Sequence, residues 1–205
     1  MMQLLIHPAS PNCVAVLAAI GVLGLDMDLR HVDLFKEEQR TPEFLHINPN
    51  GLVPVLRDDD FVLWETVAIL QYLAASDPAR ELLPLDERRR ADVTRWMAWG
   101  LAHWNPALQP FIFERLFKPM KGLGPPDEQR LVGLGSTLKQ TADVLEAQLS
   151  QSEFIGGDRL SIADLHLAAY PMYAIPARID LAPFPHLRRW LGRVHGLHEW
   201  RNAAE

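Results

Sequence analysis

Asn48-Pro49-Asn50-Gly51-Leu52-Val53-Pro54-Val55-Leu56, followed by Trp64-Glu65-Thr66-Val67-Ala68-Ile69-Leu70-Gln71-Tyr72-Leu73, is the stretch on which the fold turns. Asn48-Pro49-Asn50-Gly51 is a dense turn signal that stops a short helix opened at Thr41-Pro42-Glu43. Leu52–Leu56 is strand-like, Asp58-Asp59-Asp60 is a turn, and Phe61–Trp64 is strand-like again, so the pair reads as a hairpin. Glu65 through Ala75 reads as a helix. Pro54 interrupts the first of these strands, where its missing N–H disfavours a central position. Two readings are open. The strand lies at a sheet edge, or the proline is cis and turns the preceding N–H and C=O towards an extended, peptide-like ligand, as in strand addition.

Towards the N-terminus, Gln3–His7 is a short apolar strand. Ser10-Pro11 opens a helix that runs to about Gly24, and Arg30–Leu34 alternates as a second strand. The order βαβαββα describes an α/β layered unit. Towards the C-terminus the pattern becomes all-helical. Asp86–Leu108 is a long helix with Ala91, Val93, Trp96, Met97, Gly100 and Leu101 spaced for a buried stripe. Pro119–Pro126 is a loop, and Asp127–Leu149 is a further helix. Ser161-Ile162-Ala163-Asp164 is a capping-box-like start to a helix apolar nearly all round, and Pro183-Phe184-Pro185 precedes a last helix, His186–Leu197. The polar stretch Ala75-Ser76-Asp77-Pro78 reads as a linker, which divides the chain near Arg80 into domains at 1–78 and 86–205.

Charge follows the same division. Of 20 basic and 26 acidic side chains in 205 residues, 5 and 11 lie in residues 1–80, so the first part carries the whole net charge of −6. That balance argues against a nucleic-acid or anionic-membrane binder. The single cysteine excludes an internal disulfide or a multi-cysteine zinc site. Met1-Met2-Gln3-Leu4 lacks the basic region of a secretory signal. The longest apolar run, Cys13 to Leu25, falls short of the ~18 residues of a membrane span. A soluble, cytoplasmic protein is expected.

Three junctions carry candidate chemistry. Ser10 is suited to cap its own helix. At the same place, a hydroxyl beside a helix N-terminus can donate to a thiolate. Glu65-Thr66 opens a helix in the same way, and can hold an ammonium and a carboxylate. Cys13, inside the first turn after Ser10, reads as a small buried hydrophobe. The acidic run Asp58-Asp59-Asp60 reads as a solvated turn, because it lacks the further spaced ligands of a metal site.

Taken together, Thr41-Pro42-Glu43-Phe44-Leu45, the Asn48–Leu56 and Trp64–Leu73 stretches, Ser10-Pro11-Asn12 and Ser161-Ile162-Ala163-Asp164 resemble the cytosolic glutathione transferases over essentially the whole chain. The resemblance implies a thioredoxin-like N-terminal domain that binds glutathione and an all-α C-terminal domain. By similarity, Ser10 with Asn12 is the serine-type thiol-activating pair. Val53 pairs with the cysteinyl unit beside a cis Pro54, and Glu65 and Thr66 hold the γ-glutamyl end. Gln39 and Arg40 lie near the glycine carboxylate, as does Leu52, which stands where many relatives carry Gln or Lys. The aromatic residues of the long helix and beyond read mostly as packing core; among them Trp99, His103 and Trp104 are the candidates for the wall of a pocket for a small hydrophobic electrophile, with His103 also a candidate base. No metal is implied, and a homodimer is. Two other readings stay open: a glutathione-dependent peroxidase or disulfide reductase on the same site, and a binding module that keeps only the fold.

Overall fold

The computed structural model describes residues 2–77 and 82–204. The expected division at Arg80, and Pro78 of the linker, lie outside the described residues. The chain divides into two units, Met1–Leu85 with Leu197–Glu205, and Asp86–Gly196.

The first unit is built on four strands: β1 (Met2–Ile6), β2 (Asp28–His31), β3 (Val55–Asp58) and β4 (Phe61–Trp64). They lie in the order β2-β1-β3-β4, with β1 and β2 parallel and the other pairs antiparallel. Helices α1 (Pro11–Leu23), α2 (Pro42–Ile47) and α3 (Thr66–Ser76) complete the βαβαββα order. Helix α1 begins at a Ser10 cap with proline in its first turn, and ends at Gly24 in the left-handed conformation (φ +62°), where only glycine is unstrained.

The departures from expectation are local. Strand β2 ends at His31 rather than Leu34, because the Asp33 carboxylate accepts from the amides of Phe35 and Lys36 and folds those residues into a turn. Strand β3 starts only at Val55. It lies between β1 and β4, so the edge-strand reading of Pro54 is overturned, and the Val53-Pro54 bond is cis. Asp58 belongs to β3 and accepts the Tyr72 hydroxyl at 2.6 Å, which leaves Asp59 and Asp60 as the turn.

In the second unit, α4 (Glu87–Trp99) is capped by Asp86. It continues through a π-helical turn (Gly100–Trp104) into α5 (Asn105–Ile112), then through a second one (Phe113–Phe117) into the short α6 (Lys118–Met120). The expected helix 86–108 is thus longer. Pro106 and Pro110 have no N–H to give to an i→i−4 ladder, and the two wide turns flank them. The remaining α-helices of this unit are α7 (Glu128–Leu149), α8 (Ile162–Leu167) and α9 (Pro185–Gly196), with a 3-10 turn at Tyr170–Tyr173 between the last two. The box at the start of α8 forms as expected. Asp164, fully buried, accepts from the Ser161 amide and hydroxyl, the Ile155 amide and the Trp190 indole.

The last helix, α10 (His198–Ala204), was not foreseen, and it corrects the 86–205 boundary. It packs on α1 within the first unit, with Trp200 buried. Its closeness explains a glycine inside α1: a Cβ on Gly21 would stand 2.9 Å from that of Glu199.

Candidate active site

Strand register decides which loops meet. Ile6, at the C-terminal end of β1, pairs with His31 at the C-terminal end of β2, while Leu5 pairs with Val55 at the start of β3. Val55 in turn pairs with Trp64, the last residue of β4. The segments after β1, after β2, before β3 and after β4 therefore leave the sheet at one end. They carry Ser10 and Asn12, Gln39 and Arg40, Leu52-Val53-Pro54, and Glu65-Thr66. Helices α1 and α3 both begin there, so two partially positive helix ends with free N–H groups lie at this rim.

Ser10 is half-buried, and its Oγ accepts from the Cys13 amide at 3.4 Å. Capping and thiol binding are compatible, because a hydroxyl accepts through its lone pairs and keeps a proton to donate. Cys13 is fully buried, and burial pushes its thiol up to about 11 against the opposing contacts with Ser10 and the His7 backbone. It stays protonated at neutral pH and does not compete as a nucleophile.

Glu65 adopts φ +78°, unusual for a residue with a Cβ, and its carboxylate makes no capping bond to α3. It stands at the positive end of α3 without bonding that helix's own amides. Strained, exposed backbone of this sort is held where the surroundings demand it. Thr66, the first residue of α3, is buried at its side. Val53 lies outside the strand ladder, which begins at Val55.

Gln39 and Arg40 pack against the loop before β3. A Cβ on Gly51, itself at φ +61°, would meet Arg40 Nη1 at 2.8 Å and the Gln39 carbonyl at 2.9 Å. Leu52, next in sequence, is 58% exposed. Sequence reasoning missed the residue that shapes this loop. Asn48 is buried, and its Nδ2 donates to the Leu52 carbonyl at 2.8 Å while its Oδ1 accepts from the Asn50 amide at 3.1 Å. The Asn-Pro-Asn-Gly turn signal was visible. That its first side chain closes the turn from within was not.

In the second unit, Trp99 and His103 lie along one helix face with rings 5.9 Å apart, Trp99 half-buried and His103 exposed. Trp104 is different. It is 0% exposed and donates its Nε1–H to the Leu167 carbonyl at 3.0 Å, which makes it core and removes it from the expected pocket wall.

Comparison with known proteins converges on one family. The model "Glutathione S-transferase, N-terminal domain" matches residues 1–75, and "Glutathione S-transferase, C-terminal domain" matches residues 108–197. A probable glutathione S-transferase GSTF2 of Oryza sativa subsp. japonica is 34% identical over 181 residues, 87% of this chain and 83% of that protein. Among solved structures, glutathione transferase F7 from Populus trichocarpa superposes with a TM-score of 0.92 at 30% identity, over 100% of this chain and 98% of the other. Glutathione S-transferase-I bound with lactoylglutathione superposes at 0.89 with 28% identity, over 99% and 98%.

Proposed function

The chain belongs to the glutathione S-transferase family and is a conjugating transferase, and from that premise we propose that Ser10 activates the glutathione thiol at the rim where α1 and α3 begin. The observation that carries this reading is the convergence of four loops, each with an expected ligand residue, on one end of the sheet.

Glutathione lies extended along that rim. Its cysteinyl unit pairs with the Val53 backbone beside Pro54. Its γ-glutamyl ammonium meets the uncapped Glu65 carboxylate, and the α-carboxylate meets the Thr66 amide and hydroxyl at the start of α3. Gln39 and Arg40 face the glycine carboxylate, with Leu52 adding only its backbone and an apolar contact. A free thiol titrates near ~8.5. The Ser10 hydroxyl donates to the sulfur, Asn12 lies in the same helical turn, and the α1 terminus favours the anion, so the proton leaves to solvent at neutral pH. The thiolate attacks the electrophilic carbon, a C–S bond forms, and the leaving group departs with its bonding pair.

Trp99 and His103 supply part of the wall for a small hydrophobic electrophile, and Trp104 acts only behind them as core. The unit of function is a homodimer. A free, buried Cys13 accords with a reducing, cytoplasmic setting, and conjugation of electrophiles accords with a role in detoxification. No helix among the described residues is long and apolar enough to cross a membrane. Calorimetric titration with glutathione and turnover of a generic aryl halide by wild type and Ser10→Ala test this reading. It is wrong if glutathione does not bind, or if the variant conjugates as fast as wild type.

A further inference from the structure

Four buried polar atoms of the helical unit find no protein partner among the described residues: Trp96 Nε1, Asn105 Oδ1, and both ring nitrogens of His166. All belong to residues grouped about Gly100. Trp96 lies one α-turn before it on the same face. The Asn105 amide bonds to the Gly100 carbonyl and closes the π-turn. A Cβ on Gly100 would lie 3.1 Å from both Cδ2 and Nε2 of His166, and 2.7 Å from Leu167 Cδ2. A side chain at this position would have to displace Leu167 Cδ2 and crowd the His166 ring, so glycine suits the close approach of α8, with an imidazole edge against the long helix.

The donors and acceptors balance. The indole N–H only donates, the amide oxygen only accepts, and a neutral imidazole does one of each. Left unmet, each such buried group destabilises the folded state. An apolar ligand meets none of them. A cation or anion would need a counter-charge, and the nearby Asp164 carboxylate is already engaged by Ser161, Ile155 and Trp190. Water, with two donors and two acceptors, is the smallest molecule that meets a mixed set of this kind.

We propose that Trp96, Asn105 and His166 enclose, about the Gly100 π-turn, a site for ordered internal water that bridges α8 to the long helix. The site fastens the imidazole to the helix that carries Trp99 and His103, and gives the wide turn its structural purpose.

A crystal structure fine enough to show ordered solvent is the direct test. The expected result is a water within about 3 Å of a His166 ring nitrogen and of Trp96 Nε1 or Asn105 Oδ1. In solution, water-oxygen relaxation dispersion should show at least one fewer long-lived water in His166→Leu than in wild type. Should that variant fail to fold, Trp96→Phe takes its place in the dispersion experiment. Direct pairing of these side chains with no solvent between them, or equal dispersion in wild type and a folded variant, overturns the proposal.

Discussion

The Cys13 amide donates to the Ser10 hydroxyl oxygen at 3.4 Å, so the residue that caps α1 keeps its hydroxyl proton for another acceptor. Ser10→Ala removes both functions, and the two losses are separable. Cap loss costs about 1 kcal/mol of stability, read as a lowered Tm. Loss of a hydrogen bond to a thiolate costs about 1.5–3 kcal/mol, which lowers kcat/KM by about 10- to 100-fold. The pKa of bound glutathione, followed by thiolate absorbance, should rise by about 1–2 units.

Asn48→Ala breaks the bonds to the Leu52 carbonyl and the Asn50 amide. The expected result is a loss of about 1–3 kcal/mol in denaturant unfolding. A higher KM for glutathione should accompany it with little change in the thiol pKa, because the loop before Val53 is loosened while Ser10 is untouched.

Trp104→Phe forfeits the bond to the Leu167 carbonyl and should cost about 1 kcal/mol of stability with the KM for the electrophile unchanged. Trp99→Ala and His103→Ala should do the reverse, shifting that KM while unfolding near the wild-type midpoint. A larger KM change for Trp104→Phe than for either of these would return Trp104 to the pocket wall.

Trp200→Ala opens a cavity between α10 and α1. Large-to-small changes of a buried tryptophan cost about 3–5 kcal/mol. The expected loss lies in the first unit, so hydrogen exchange should quicken in α1 while α7 keeps its protection.

His166 supplies a pH dependence. Burial holds its imidazole down at about 4, against 6.5 for a free histidine. Because the folded state binds this proton later than the unfolded chain does, stability falls as pH drops below 6.5. The fall continues to about 4, at up to ~1.4 kcal/mol per pH unit. His195, whose pKa is also lowered by burial, acts in the same direction. Unfolding at pH 7 and pH 5 should show a larger loss in wild type than in His166→Leu.

The readable parts of this chain were those whose cause is local. Ser10-Pro11 and Gly24 bound α1 because a cap, a preset φ and a left-handed terminus act within one turn. Asp127 and Asp164 marked their helices for the same reason. The period change near residue 80 separated an α/β unit from a helical one without any knowledge of contacts.

Tertiary structure settled what local pattern could not. Whether Pro54 lay beside an edge or an interior strand depended on β1 and β4 flanking β3, a pairing no single segment encodes. Trp99 and Trp104 look alike as aromatics on one helix, yet Trp104 is fully buried with its indole on the Leu167 carbonyl, while Trp99 stays half-buried. Asn48 resembled any turn asparagine until its side chain met the Leu52 carbonyl. The return of α10 to α1 was equally hidden, since a seven-residue helix takes its stability from the surface it buries and that surface lies far away in the chain.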